Sequence, residues 1–331
     1  MRQANTHTNF AHLSPEIISL AQRLHERQQA EQPSPSMQRL FPALHMTGFT
    51  AEAVELFHET NGSENNYGEF AGVPENVGRL IRRTDNNAPL GVVGERYAIA
   101  QNGDLAAKLA EGCEAALPTR ALQNIELRES ISRNGRFTRF EYTFPELGAD
   151  IRQLTGRNTS LKFRVAVVNG FGGTSIRCNA GAIDWYCDNG MTFGEFETSV
   201  FRHTSGFNPN KVKTFVTAEA ERFKERVSIW QRWALNEINP AEAELCLEEA
   251  GMAGRTIKRV MQQLDIEAQQ RGMTTWAVYS ALTYRSSHNS ELFGVRNSSN
   301  IDNVAEVLDR REREVGQLIS HPAMARIGMA A

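Results

Sequence analysis

The chain lacks the features that mark secreted, membrane-spanning and disulfide-stapled proteins. Its 331 residues include four cysteines and no CxxC pair, so no disulfide framework and no paired-cysteine metal site is indicated. No apolar run approaches the roughly 20 residues of a membrane helix. The opening residues, MRQANTHTNFAHL, do not form a signal-peptide pattern. The sequence therefore predicts a cytoplasmic protein with reduced thiols and no membrane partner.

The chain also lacks an excess of positive charge. Its formal net charge is −3, so any binding to nucleic acid must come from a local basic patch. Hydrophobic residues make up 40% of the chain, which is enough for a packed core and argues against wholesale disorder.

The pattern along the chain predicts an α+β protein in three parts. Residues 1–90 are interpreted as an N-terminal helical and loop extension, with helices over 14–32 and 51–59 and a loop over 60–90. Residues 91–215 are predicted to be a core of antiparallel β-hairpins. Residues 216–331 show a helical pattern and are predicted to pack on that core.

Two hairpins are predicted in the core. Asn134-Gly135 is a strong turn signal, and centring the turn there pairs Leu127 with Tyr142 and Glu129 with Phe140. The face that carries these pairs is apolar except at Glu129. The second hairpin has GFGG (170–173) as its loop, which pairs Val165 with Cys178.

The second hairpin has a basic, polar face opposite its apolar one. Lys162 and Arg164 lie on that face, with Arg164 opposite Asn179 and Ala166 opposite Arg177. Residues 151–215 as a whole contain eight lysine or arginine residues against four acids, in a chain that is negative overall. The loop FRHTSGFNPNKVK (201–213) adds further cations with an aromatic side chain among them. Cations that follow phosphates, with aromatics for stacking, are what a single-strand binder needs.

Other kinds of site find less support in the sequence. The run NGFGG lacks the lysine and the following helix of a phosphate-binding loop. Cys178, Cys187 and His203 are spaced too widely for zinc-binding pairs. Asp184 and Asp188 with His203 are the ligand set left for a metal-dependent nucleic-acid enzyme, which stays an alternative. A protein-interaction factor, such as a host-defence antagonist, is a second alternative. No metal and no cofactor is predicted.

The helical region has two features of note. Phe223, Val227 and Trp230 recur at helical spacing and predict a core stripe. The mixed charges of Asp309–Glu314, in the last predicted helix, are typical of a solvated helix face.

Several segments together resemble a known family. In chain order these are VGERYAIAQN (93–102), FRVAVVNGFGGTSIRCNAG (163–181), CDNGM (187–191), RHTSG (202–206) and TTWAVYSALTY (274–284). The set resembles the phage- and plasmid-associated proteins grouped as domain of unknown function 932. In that family the hairpin loop often carries a histidine and an aspartate, which are absent from Asn169–Thr174 here. The order of helix and hairpins is also similar to the core of single-strand annealing recombinases, which are ring-forming proteins.

The residues and the resemblance lead to one expected function. The chain is expected to bind single-stranded DNA and promote annealing or recombination for a mobile element, as a homo-oligomeric ring or filament without catalytic residues. The expected DNA-binding residues are Lys162, Arg164, Arg177, Asn179, Arg202, His203, Phe207, Lys211 and Lys213.

Overall fold

The strands of the protein form two antiparallel sheets. A computed structural model describes residues 40–59, 74–150, 160–184, 192–287 and 304–329. The smaller sheet has the order β1-β2-β3, and the larger has the order β4-β5-β6-β7-β8, in which each strand pairs with the next along the chain. The strands are β1 (Ala51–Glu59), β2 (Pro74–Arg83), β3 (Pro89–Val93), β4 (Glu126–Ser132), β5 (Phe137–Asp150), β6 (Ser160–Gly170), β7 (Ile176–Asp184) and β8 (Thr192–Phe201).

Six α-helices accompany the sheets in the described residues, which confirms the predicted α+β class. One precedes the larger sheet and five follow it, so the C-terminal region is mostly helical. The helices are α1 (Asn102–Ala116), α2 (Asn210–Leu235), α3 (Pro240–Glu249), α4 (Gly254–Arg271), α5 (Thr275–Ser287) and α6 (Val304–Ile319). Within the described ranges, no helix has both the length and the apolar character to cross a membrane.

The first predicted hairpin is confirmed with its register. Leu127 pairs with Tyr142 and Glu129 with Phe140, as a turn centred on Asn134-Gly135 requires. Both turn residues have positive φ, 59° at Asn134 and 101° at Gly135, which is the conformation that Asn-Gly favours.

The second hairpin is confirmed, but its predicted register is wrong by two residues. Cys178 pairs with Val167 and not with Val165, and Ala166 lies opposite Asn179. The loop between β6 and β7 is longer than GFGG because Thr174 and Ser175 belong to it. A shift of two residues leaves every side chain on its predicted face, because side chains alternate with a period of two.

The apolar face of the larger sheet packs against α1 and α2. Phe140, Phe163 and Val165 are almost fully buried on this face. The ring of Phe223 in α2 lies 5.2 Å from that of Phe163, and Trp230 follows at 5.8 Å from Phe223. The predicted core stripe of α2 is therefore confirmed at its two aromatic positions.

The opposite face of the larger sheet is covered as well, by α5 and α6. α5 is buried from Thr275 to Thr283 and lies between α2, α4 and α6. The prediction that the charged run of α6 is solvated is wrong at its centre, where Asp309 and Glu312 are 1% and 4% exposed. Their buried side chains contact the sheet.

The N-terminal part of the chain differs from the prediction. Residues 51–59 are strand β1 and not a helix, and strands β2 and β3 occupy part of the predicted loop over 60–90. The predicted helix over 14–32 lies outside the described residues. All described residues belong to one compact unit, Leu40–Ala331.

The loop between β6 and β7 joins the two sheets. Phe171 is fully buried in the core of the smaller sheet, in contact with Phe49 at 5.6 Å between ring centroids. A Cβ atom on Gly91 of β3 would lie 2.6 Å from the Cα of Gly172, so the backbones of β3 and the loop touch. Gly172 of the GFGG loop therefore allows a close backbone contact between the loop and the smaller sheet.

Candidate nucleic-acid interface

The basic face of the second hairpin is buried under α6. Arg164 is 1% exposed, and its Nη1 donates to Glu141 at 2.8 Å. Arg177 donates through Nε and Nη2 to both carboxylate oxygens of Asp309, at 3.0 and 2.6 Å. Neither guanidinium is available to a phosphate while α6 is in this position.

Four side chains form an ion network at the centre of that face. Arg139 of β5 donates to Glu312 of α6 at 2.6 and 2.9 Å and to Glu141 at 2.9 Å. Arg164 also contacts Glu312, at 3.3 Å. Burial acts to raise the pKa of Glu141, but the guanidinium groups of Arg164 and Arg139 outweigh it and lower that pKa. The network is therefore charged at neutral pH.

Two further predicted residues lie on the same strands. Asn179 is 1% exposed in β7 and lies opposite Ala166. Lys162 is half-buried near the start of β6, with its Cδ close to Gly148 of the neighbouring strand. The structure thus gathers Lys162, Arg164, Arg177 and Asn179 on strands β6 and β7, apart from the remaining five.

The remaining five predicted residues lie on one segment, 202–213, and its first residues contact the segment 94–99. Tyr97 forms an antiparallel bridge with Thr204, and the Ala98 N–H donates to the His203 carbonyl at 3.2 Å. The Tyr97 and His203 rings stack at 4.7 Å. The Tyr97 hydroxyl donates to the Gly170 carbonyl at 3.3 Å. Three of the segments that carry the family resemblance therefore meet at one place.

A second contact between the same segments is buried and polar. Asn169 donates through Nδ2 to the Ala100 carbonyl at 2.8 Å and to Asn102 Oδ1 at 2.9 Å. Thr138 Oγ1 donates to the same Asn102 oxygen at 3.2 Å. All three side chains are fully buried. These bonds fix the position of the 94–102 segment against β5 and β6.

The two segments that carry Tyr97 and His203 also carry exposed cations. We name Arg96, Arg202 and Lys211, with the half-buried rings of Tyr97 and Phe207, the cationic edge. All three cations are exposed, and within the described part of the chain none has an ion pair. Glu95 is an exposed acid beside Arg96. The cationic edge is therefore positive after that acid is counted.

The segment from Phe207 to Lys213 leads into helix α2. Phe207 packs on Phe201 at 5.6 Å and closes a turn by donating its N–H to the Thr204 carbonyl at 2.8 Å. Lys211 lies in the first turn of α2, where the helix dipole adds positive potential. Lys213 is paired with Glu111 of α1 at 3.5 Å, so its charge is partly used within the protein.

His203 is a buried neutral ring. It is 7% exposed, and its Nδ1 lies 3.2 Å from the Ala98 carbonyl oxygen, to which it donates when protonated there. Burial lowers the pKa of His203, against backbone hydrogen bonds to Ala98 and Thr174 that act to raise it. The buried His203 ring stacks on Tyr97 and is not exposed enough to contact a nucleic-acid strand by itself.

The metal alternative finds no cluster among the residues that the structure describes. No group of three His, Cys, Asp or Glu side chains there is placed to hold an ion. Asp188, of the predicted ligand set Asp184, Asp188 and His203, lies outside the described residues, so that ligand set stays a prediction. Burial raises the pKa of the Cys178 thiol to about 12, which disfavours the thiolate that binds metals.

Sequence reasoning missed Arg96 and Tyr97 as members of the site. Both belong to VGERYAIAQN, a segment that the sequence analysis used only for the family resemblance. The run GERY (94–97) places an arginine next to an aromatic residue, and this pair is the sequence feature that could have indicated the site. The contact with 201–207 is long-range and has no local signature.

Comparison with known proteins yields one match. No protein with curated annotation and no solved structure matches the chain. The model of one family, described as a domain of unknown function (DUF932), matches residues 89–313. These residues run from β3 into α6 and contain the larger sheet, the cationic edge and the ion network. By this match over most of its length, the chain belongs to the DUF932 family.

Proposed function

We propose that the protein binds single-stranded DNA at the cationic edge and promotes the pairing of complementary strands. Arg96, Arg202 and Lys211 would hold phosphates, and the rings of Tyr97 and Phe207 would contact bases. The observation that carries the proposal is that two contacting segments, 94–99 and 202–211, carry exposed cations without ion pairs among the described residues, close in sequence to half-buried aromatic rings. Cations with stacking rings are the combination that binds single strands without reading their sequence.

The local charge is what makes the cationic edge distinct. The chain has a net charge of −3, and half-buried arginines such as Arg79 and Arg82 are paired with glutamates across strands β1 and β2. The three cations of the edge have no such partners among the described residues. The N-terminus of α2, next to Lys211, adds backbone N–H groups and a positive dipole end that suit an anion.

The proposed activity needs no covalent chemistry. A strand held by its phosphates keeps its base edges open to a complementary strand. Several subunits in a ring or filament would extend one strand over many nucleotides, in the setting that the resemblance to phage- and plasmid-associated proteins implies. The oligomer and the setting belong to the proposal.

A salt series on a labelled oligothymidylate tests the proposal. The variant Arg96→Ala/Arg202→Ala/Lys211→Ala removes three cations from the edge. Each phosphate contact on a single strand contributes about 0.7 to the slope of log K against log salt. We therefore expect the slope of the variant to fall by about 2, together with weaker binding in fluorescence anisotropy.

The matched control removes the same charge elsewhere. Arg255→Ala/Lys258→Ala/Arg259→Ala changes three exposed cations on α4, which packs on α3 and α5. This control is expected to keep the slope of the wild-type protein. An equal loss in both variants would show that only net charge matters, and no salt-sensitive binding by the wild-type protein would refute the proposal.

A further inference from the structure

Helix α6 docks on the larger sheet through charged groups. At the centre of the interface Asp309 and Glu312 meet Arg177, Arg139 and Arg164. The sheet's other face is different, because there Phe163, Phe223 and Trp230 pack ring against ring. One face of the sheet is thus held by apolar packing, whereas the other is covered by the buried helix α5 and by α6, whose central contacts are ion pairs.

The contacts of α6 have the geometry of a guanidinium with an oxyanion. Arg177 forms a two-pronged fork with Asp309, at 3.0 and 2.6 Å. Arg139 forms a second fork with Glu312 through Nη1 and Nη2, at 2.9 and 2.6 Å. Guanidinium forks fit carboxylate and phosphate alike. The two acids are three residues apart, so they project from the same side of the helix.

We propose that Arg139, Arg164 and Arg177 form a second phosphate-binding surface for single-stranded nucleic acid, which α6 covers with Asp309 and Glu312 in the place of phosphates. Strand binding on this face and docking of α6 exclude each other. The inference rests on the proposed function, because it assigns the docked form to a state that binds a strand through the cationic edge alone.

The balance of charge supports this reading. With α6 docked, the three arginines of the sheet face the carboxylates of Glu141, Asp309 and Glu312, and Asp309 also pairs with Arg313 of α6 at 3.3 Å. Without α6, the arginines of the sheet retain Glu141 alone among these acids, and the face becomes positive. A nucleic-acid strand supplies the anions that such a face then lacks.

The energetics favour a docked helix that a strand can displace. Ala305 packs with Phe137 and Val168 at one end of α6, and Val315 and Ile319 are buried towards the other. Buried ion pairs between them stabilise less than apolar packing of the same size. The uncovered form is therefore a minor state, and a strand shifts the population by its preference for that state.

Neutralising the two acids of α6 tests the inference. In Asp309→Asn/Glu312→Gln the arginines lose their partners on α6 while side-chain size is kept. We expect a labelled oligothymidylate to bind about tenfold tighter or more, and the salt slope to steepen by about 2 as three more phosphates are neutralised.

Two controls separate this effect from a change in net charge. Glu244→Gln/Glu248→Gln removes two exposed acids of α3 and is expected to leave the slope unchanged. Adding Arg164→Gln and Arg177→Gln to the neutralised variant is expected to abolish its gain. Should the double neutralisation prevent folding, Asp309→Asn alone leaves the Glu312 network in place and is expected to steepen the slope by about 0.7.

A disulfide across the interface tests displacement directly. The Glu306 N–H donates to Ser132 Oγ at 3.3 Å, so these two positions adjoin. The test adds Ser132→Cys and Glu306→Cys to the neutralised variant, together with Cys187→Ser, which removes the one cysteine outside the described residues. We expect the slope of log K against log salt to be shallower when the disulfide is oxidised and steeper when it is reduced.

The outcomes distinguish the two proposals. Equal affinity and slope in the neutralised variant and the α3 control, or no effect of the disulfide, would overturn the inference even if the cationic edge binds DNA. No salt-sensitive binding by the wild-type protein or by any variant would instead overturn the proposed function.

Discussion

At the residue scale, Glu129 is a polar residue on an apolar strand face that has a specific role. It lies opposite Phe140, where the alternating pattern leaves it as the exception. Its carboxylate accepts the backbone N–H groups of His45, Met46 and Thr47, at 3.0, 3.2 and 2.8 Å. The Thr47 hydroxyl donates to it as well. One side chain thus fixes a segment that is more than 80 residues away in the chain.

Replacing this carboxylate is expected to destabilise the fold. Glu129→Gln keeps the size of the side chain but removes the charge that accepts four hydrogen bonds. We expect a loss of about 1–3 kcal/mol in the free energy of unfolding at pH 7, measured by urea denaturation. Glu126→Gln, at an exposed position of the same strand, is the matched control and is expected to change little.

The same residue predicts a pH dependence. Burial acts to raise the pKa of Glu129, but the hydrogen bonds from residues 45–47 outweigh it and lower the pKa. A carboxyl with a lowered folded pKa contributes stability above its unfolded pKa, about 4.3, and loses it as the pH falls through the folded value. The stability difference between wild type and Glu129→Gln should therefore shrink below about pH 4. A difference that is constant from pH 7 to pH 3 would contradict this assignment.

At the element scale, the local sequence pattern predicts hairpins and helices better than it predicts which elements pack against them. The Asn134-Gly135 turn fixes the β4–β5 register because a two-residue turn leaves one pairing. The β6–β7 register was predicted wrongly because Phe171 packs away from the hairpin, into the smaller sheet. Helices α2 to α6 correspond to the helical pattern that the sequence shows over residues 216–331. The periodicity of α6 does not reveal that Asp309 and Glu312 face the sheet, because their partners lie on β5, β6 and β7.

The contact between β3 and the β6–β7 loop can be tested with one methyl group. In Gly91→Ala the new Cβ would lie 2.6 Å from the Cα of Gly172, so the strand or the loop must move. We expect a loss of about 1–3 kcal/mol, seen as a lower urea midpoint. Gly94→Ala is the control, because a Cβ there meets nothing within 4 Å. Equal stability of the two variants would show that the loop adapts without cost.

At the scale of the whole molecule, the sequence shows which segments are basic but not which of them another part of the chain covers. The positive window at 151–215 is real, yet Arg177 is neutralised by Asp309, 132 residues later. A count of charges over one stretch of sequence leaves out a partner that lies so far along the chain. Residues 51–59 contain helix-favouring Ala, Glu and Leu, and they form a strand because β2 pairs with them. Two hairpins of the larger sheet could thus be predicted from sequence, whereas strand β8, the smaller sheet, the covered basic face and the cationic edge could not.

The two sheets are expected to lose their coupling when the buried loop ring is removed. Phe171→Ala deletes a fully buried ring from the core of the smaller sheet, which costs about 3–5 kcal/mol at such a site. Amide hydrogen exchange should then show the greater loss of protection in β1–β3 and a smaller one in β5–β7. Phe144→Ala, in the core of the larger sheet, serves as the comparison. Uniform loss of protection across both sheets in Phe171→Ala would contradict the expected division.

The position of Phe171 also bears on the order in which the chain acquires its structure during synthesis. Strands β1, β2 and β3 leave the ribosome long before residue 171, yet their core is complete only when that ring arrives. Synthesis at about 5–20 residues per second leaves the nascent strands without this ring for several seconds. During that interval Phe49, Ile81 and Leu90 share an unfilled core. A chaperone that binds exposed apolar strands would find its substrate in this N-terminal segment, and termination before residue 171 would leave it there.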